Sequence, residues 1–257
     1  MMDFRSNKWG LVLLLALWAL LYLWGLGAPD VDYSIEAFRM VMARNMMESG
    51  DWLVPVFREQ VYLIKPPLMN WLIALFSIPF GDVTEWSGRL PSALSVLALS
   101  LLILWWTKKQ GLTKASLYAS LLFLILPLVF EKGIRAEIEM NFALWVTCSL
   151  LCLFEGIRLQ HDGVRGQKWT LLSYGFLTLA LLSKGPPALM FFLGTWVVFQ
   201  SLMGWRTVHP LDHLLGLVIV FFGFSLWLVP ALSRVGILEA WATFKIEALD
   251  RVTQAEG

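Results

Sequence analysis

The chain has 257 residues, of which 58% are hydrophobic and only 15% charged, with 14 Trp, 17 Phe and a formal net charge of +1. Soluble domains carry about 25% charged residues, so this composition excludes an ordinary soluble fold and points to an all-α, multi-pass membrane protein. No clustered basic patch that could follow phosphates along a nucleic acid is present, which excludes nucleic acid as a partner.

A helix needs about 20 residues to cross a hydrocarbon core of about 30 Å. The first such stretch is 9–27. It is too long for a signal-peptide core and has no small-residue cleavage pattern, so it reads as a retained span. Residues 28–88 then form a long first outer loop. Within it Ile35, Phe38, Met42 and Met46 recur at helical spacing opposite Glu36, Arg39 and Glu48. This pattern predicts an amphipathic helix on the outer membrane surface, stopped at Ser49-Gly50. Next comes DWLVPVFREQVYLIKPPLMNWLIALF, where Arg58, Glu59 and Lys65 precede a Pro-Pro step and a short apolar run. As a helix, 68–80 would reach only about 20 Å, and Pro79 and Gly81 end it; it lies in the interface or re-enters. Six more stretches, 89–107, 115–130, 140–157, 169–182, 188–204 and 212–230, bring the expected spans to about seven.

Loop charge gives the orientation. With 68–80 left out of the span count, Lys108, Lys109, Lys114, Arg158, Arg165, Lys168 and Arg206 fall on one side with Arg5 and Lys8. The positive-inside rule makes that side the cytoplasm, with the N-terminus there. Carboxylates collect on the outer side, in 28–88, in 131–139 and after 231. Cys148 and Cys152 lie four apart in an apolar run with no nearby histidine and read as small packing residues. His161, His209 and His213 fall on or near the cytoplasmic side and take no catalytic role.

Ionisable groups at a membrane boundary are costly to keep and are functional candidates. Three clusters qualify: Asp30, Asp32 and Glu36 leading into Arg39 and Arg44; the loop Glu131 to Glu139; and Ser183-Lys184-Gly185-Pro186-Pro187. Each also has a plain reading, since loop charges are solvated and a lysine at a span end snorkels. Five segments in order, ARNMMESGDWLVP (43–55), YLIKPPLMNWLIA (62–74), FGDVTEWSGRLPSALS (80–95), IRAEIEM (134–140) and LLSKGPPAL (181–189), resemble the lipid-linked-sugar glycosyltransferases of the GT-C fold. The branch is that of the protein O-mannosyltransferases and lipid A aminoarabinose transferases. FKIEALDRV (244–252) is similar to the family's outer segment after the seventh span.

The resemblance implies one GT-C-like membrane module over 1–257, without the further spans and outer domain with which family members generally continue. It also implies transfer on the outer face of a bacterial inner membrane, from a polyprenyl-phosphate-linked sugar to a lipid, glycan or protein acceptor. An acid early in the first outer loop serves as general base, and basic residues hold the departing phosphate. Carried onto this chain, the acids are Glu36 or Asp32, with Glu139 in the second outer loop, and the phosphate-binding cations are Lys65, Arg44, Arg135 and Lys184. The chain departs from the family at Ile35, where the leading aspartate of the acidic pair belongs, and at Ile64, which weakens a metal site built there. No cofactor is assigned, and a divalent metal ion stays open. The seventh-span Pro-Trp-Tyr step is reduced to Trp227-Leu228-Val229-Pro230. These departures carry the alternative of an inactive lipid-binding or scaffold subunit. A transporter is disfavoured because the spans hold almost no ionisable residues.

Overall fold

The computed structural model describes residues 4–27, 35–204, 209–238 and 240–241. In chain order, α1 (Phe4–Trp18) runs into a π-helical turn (Ala19–Leu23), followed by α2 (Ile35–Ser49), a hairpin of β1 (Val56–Phe57) and β2 (Gln60–Val61), and α3 (Leu68–Ser77). Then come α4 (Glu85–Lys109), α5 (Thr113–Ile125), α6 (Pro127–Gly133), α7 (Glu139–His161), α8 (Gln167–Lys184), α9 (Pro187–Met203) and α10 (Pro210–Val235). Each of the seven expected spans coincides with a helix or with the α5–α6 pair. Among the described residues α4, α7 and α10 are long and apolar enough to cross a membrane, and α5–α6 adds a fourth if the bent pair is one span. Lys8–Leu23, Leu68–Phe80 and Pro187–Met203 are apolar but shorter.

Local chemistry explains the breaks. Pro127 has no N–H to donate to Phe123, so the helix bends by 62° between α5 and α6. The bend frees the Leu124 carbonyl, which accepts from Tyr22 Oη at 2.7 Å. Trp18 Nε1 likewise donates to Ala93 O at 2.9 Å. Buried aromatics that carry a polar atom must find such partners where no water reaches. The short run after Pro66-Pro67 is α3, and a 3₁₀ turn (Ile78–Phe80) ends on Gly81 at φ +75°, a left-handed position that favours glycine. Gly50, at φ +71°, ends α2 where the sequence places its stop.

Two compact units form, one from the chain up to 44 together with 69–144, the other from 45–68 and from 145 onward. The core of the first gathers Leu14, Trp18, Tyr22, Leu26, Ala93, Val96, Leu124, Val129 and Met140. Gly133 sits where a Cβ would stand 2.5 Å from the Tyr22 ring and 2.8 Å from Val96, so the absence of a side chain there lets α6 close on this core. In the second unit α8 packs against α10 and α9, and Gly216 of α10 lies against the Tyr174 ring.

Two expectations need correction. α2 is not a simple surface helix with Ile35 on its apolar face, because Ile35 is 60% exposed while Glu36, Arg39, Met40, Met42, Ala43 and Met46 are buried. The buried stripe takes in the charged residues because they find partners inside, which an apolar count cannot register. The hairpin is a second difference. Its turn uses Arg58 and Glu59 at φ +49° and +66°, a left-handed pair usually marked by Asn or Gly, so the sequence gives no signal for it.

Candidate functional site

In the first unit the acid–base residues are organised around α4. A capping box starts this helix: Thr84 Oγ1 accepts from Ser87 N at 3.2 Å, and Ser87 Oγ accepts from Thr84 N at 2.9 Å. That start puts Arg89 in the second turn. Arg89 Nε donates to Glu36 Oε1 at 2.7 Å, Nη2 to Glu36 Oε2 at 3.4 Å, and Nη1 to Leu26 O at 2.7 Å. Glu36 Oε1 also accepts from Ala136 N at 3.0 Å. The two side chains are 3% and 6% exposed. A pair taken so far out of water is tolerated only when its remaining donors and lone pairs are bonded too, which the Leu26 and Ala136 backbone groups accomplish. Glu36 therefore ties α2, α4 and the 134–138 loop together.

That loop carries a second network. Lys132 Nζ donates to the buried Glu137 at 2.8 Å, and Ser92 Oγ donates to Glu137 O at 3.1 Å. Arg135 reaches Glu131 at 3.4 Å and Glu137 at 3.8 Å and is half-exposed. Glu139, half-buried, opens α7. Arg44 Nε donates to Asp82 at 2.7 Å and Nη2 to Val83 O at 2.8 Å. The Arg44 hydrogen bond, then the Val83 N–H, hold the exposed Asp82 carboxyl below its ordinary range.

The other two predicted cations belong to the second unit. Lys65 is half-buried just ahead of Pro66-Pro67 and α3; Lys184, also half-buried, is the last residue of α8. Their chain segments meet, because a Cβ at Gly185 would stand 3.9 Å from Pro66 Cδ. Nearby in sequence, Asp51 Oδ1 accepts from Leu53 N at 2.9 Å and Oδ2 pairs with Arg234 of α10 at 2.7 Å. Trp227 Nε1 donates to Leu53 O at 2.9 Å. The Asp51-Trp52 turn is thus fastened to the last turns of α10.

The structure brings Glu36 to the loop that holds Arg135 and leads into Glu139, and it brings the Lys65 and Lys184 segments together. Asp30, Asp32, Arg206 and the segment 244–252 lie outside the described residues. Sequence reasoning missed Arg89, and it named the loop that holds Lys132 and Glu137 without singling out either residue. Arg89 could have been found, since an arginine entering an apolar span requires a buried partner. Glu137 could not, because nothing in the sequence tells which of Glu131, Glu137 and Glu139 turns inward. Among the described residues no group of three or more His, Cys, Asp or Glu side chains is placed to hold a metal ion. Cys148 and Cys152 are both free thiols.

Residues 64–229 match the model of a family described as dolichyl-phosphate-mannose-protein mannosyltransferase. The chain is 30% identical over 190 residues to an undecaprenyl phosphate-alpha-4-amino-4-deoxy-L-arabinose arabinosyl transferase 2 of Proteus mirabilis, a match covering 72% of this chain and 33% of that protein. A counterpart from Pseudomonas fluorescens is 28% identical over 205 residues, 76% of this chain and 36% of that one. Among solved structures, apo ArnT from Cupriavidus metallidurans superposes with a TM-score of 0.80 at 22% identity, over 94% of this chain and 44% of that one. ArnT from the same organism bound to undecaprenyl phosphate gives a TM-score of 0.74 at 20% identity, over 91% of this chain and 42% of that one. The chain shares their fold and spans about a third of the length of the curated relatives it matches.

Proposed function

Since the chain belongs to the dolichyl-phosphate-mannose-protein mannosyltransferase family, we propose that it takes part in moving a sugar from a polyprenyl-phosphate carrier to an acceptor on the outer face of a bacterial inner membrane. One observation carries this reading: the segments bearing Lys65 and Lys184 meet at Pro66 and Gly185, the first at the head of a short apolar helix, the second at the end of α8. Two lysines on these segments make a seat for a lipid phosphate at the membrane edge. The short α3 offers the carrier's chain an apolar wall. A relative of the same fold, ArnT, has been solved bound to undecaprenyl phosphate.

In the reaction the acceptor hydroxyl attacks the anomeric carbon, its proton passes to a carboxylate, and the bond from that carbon to the phosphate oxygen breaks. The lipid phosphate leaves with the electron pair, and fixed cations stabilise the charge that grows on it. Lys65 and Lys184 take that role, with Arg44 and Arg135 as further phosphate-binding cations, and Asp32, Glu36 and Glu139 are the acids available to receive the proton. Because Glu36 is already bonded to Arg89 and Ala136 N, we assign the base to Asp32 before Glu36. The commitment of Glu36 equally favours the second reading, an inactive subunit that binds carrier lipid.

The test is transfer of labelled sugar from a polyprenyl-phosphate donor in membranes holding the full-length protein. Lys65→Ala and Lys184→Ala are each expected to lower the rate by about 10²-fold, and Asp32→Asn to lower it more than Glu36→Gln once both are corrected for folded protein. Equal transfer by Lys65→Ala, Lys184→Ala and the parent would overturn the phosphate seat. No transfer by the parent, with carrier lipid still bound, would establish the inactive subunit. A chelator arm of the same assay decides whether a divalent ion takes part.

A further inference from the structure

The second unit contains a cavity that the proposed transfer does not use. It encloses about 750 Å³ where the end of α7 and the loop into α8 meet the start of α10, at the helix ends opposite Glu139 and Lys184. Two buried polar side chains, Gln160 and Asp212, line it among apolar surface. Gln160 is only 9% exposed, and neither Nε2 nor Oε1 has a hydrogen-bond partner among the described residues. Buried amide atoms are rarely left in that state; both are closed to water as the side chain stands, so a group entering the cavity meets them once the Gln160 side chain turns toward it. Beside it lies Asp212, 6% exposed, whose Oδ1 accepts from Gln167 Nε2 at 2.6 Å. That bond fixes the carboxylate and still leaves it lone pairs to offer.

The mouth has the opposite sign. Arg165 and His209 line it and are exposed, and the Arg165 guanidinium is the fixed cation there. Leu211, Leu214 and Leu215 continue from the mouth along an exposed apolar face, at 72%, 57% and 46% exposure. A ligand that fits carries an N–H-bearing cation at its inner end, a phosphate at the rim and an apolar tail. A quaternary ammonium fits poorly, because it has no N–H to give Asp212 or Gln160 and is held instead by aromatic faces. None of the described lining residues is Trp, Tyr or Phe.

We propose that this cavity is a headgroup site for a phospholipid bearing a primary ammonium, a phosphoethanolamine lipid, with the ammonium on Asp212 and Gln160 Oε1 and the phosphate near Arg165. The site is separate from the sugar-transfer reading and does not depend on it.

The full chain purified in nanodiscs tests this by native mass spectrometry of retained lipid, with phosphatidylethanolamine, phosphatidylcholine and phosphatidylglycerol of identical acyl chains in competition. The unmodified chain is expected to retain phosphatidylethanolamine about tenfold over the other two, the worth of one charge-assisted hydrogen bond. Asp212→Asn and Gln160→Leu should each remove most of that preference, whereas Trp227→Phe, far from any binding role, should leave it intact. Equal retention of phosphatidylethanolamine and phosphatidylcholine by the unmodified chain overturns the proposal whether or not any variant folds. Soluble phosphoethanolamine is the control for the source. If it competes as well as the lipid, the site belongs to the free zwitterion and the lipid assignment fails.

Discussion

Two arginine–carboxylate pairs, one in each unit, have the same length and different surroundings. Arg89 meets Glu36 at 2.7 Å with the side chains 3% and 6% exposed, and Arg234 meets Asp51 at 2.7 Å with 54% and 34% exposed. Distance alone would rank them equal. Around the first, water is gone, every loss of a partner leaves a buried charge behind, and backbone groups from two further segments are built to fit. Around the second, water screens the attraction and takes over when a partner is removed. The first pair therefore fixes how the segments of its unit assemble, and the second only trims the position of a turn.

The comparison breaks if Arg89 is dispensable. Arg89→Leu is expected to cost about 3–5 kcal/mol, because Glu36 stays behind as an unpaired buried charge. Thermal melting of the detergent-solubilised chain should show a large drop, and Glu36→Met combined with Arg89→Leu should recover most of it. A single variant melting within about 1 kcal/mol of the parent would show the pair to be no stronger than the exposed one. This prediction also bears on catalysis, since a loss of transfer in Glu36→Gln has a structural cause available and means nothing for the base until folded protein is measured.

A smaller effect tests whether the first unit's core is as rigid as its ion pair. Gly133→Ala places a Cβ 2.5 Å from Tyr22 and 2.8 Å from Val96, and the resulting overpacking is expected to cost about 1–3 kcal/mol. Smaller again is Trp227→Phe in the second unit, which keeps the ring and removes the hydrogen bond to Leu53 O, for about 0.5–1.5 kcal/mol. An unchanged melting point in Gly133→Ala would mean that Tyr22 can swing aside, and the Tyr22 bond to Leu124 O would then not fix the α5–α6 bend.

These cases also separate what the sequence could reveal. Span positions were legible because apolar runs of helical length have few other fates, and Gly50 and Gly81 marked their own breaks, whereas the 62° bend at Pro127 falls inside the stretch 115–130 that reads as one span. The lysines at 65 and 184 stood out because each is a lone charge beside a proline-rich step. The partners of the acids were not legible. Glu36 and Arg89 are 53 positions apart, and only packing of α2 on α4 decides that they meet, so α2 was read with its charged residues facing outward. The same holds for Glu137, whose inward turn depends on Lys132 and on Ser92 of another helix.

The smallest predicted effect sharpens the comparison from the exposed side. Burial alone would raise the Asp51 carboxyl, but the Leu53 N–H, the Arg234 guanidinium and the Val54 N–H outweigh it and hold the group below its ordinary 3.8. A carboxyl with a lowered value in the fold contributes stability that is fully present above 3.8 and is lost as pH falls through the lower, folded value. Between the parent and Asp51→Asn, the difference in melting temperature should therefore be constant at neutral pH and shrink only below that point. Its size, about 0–1 kcal/mol for a pair this exposed, should fall further with added salt, because water and ions already share the charge. A difference that is large, or that ignores salt, would mean that the Asp51 turn is desolvated against α10 in the membrane, and the contrast with the buried Arg89 pair would then disappear.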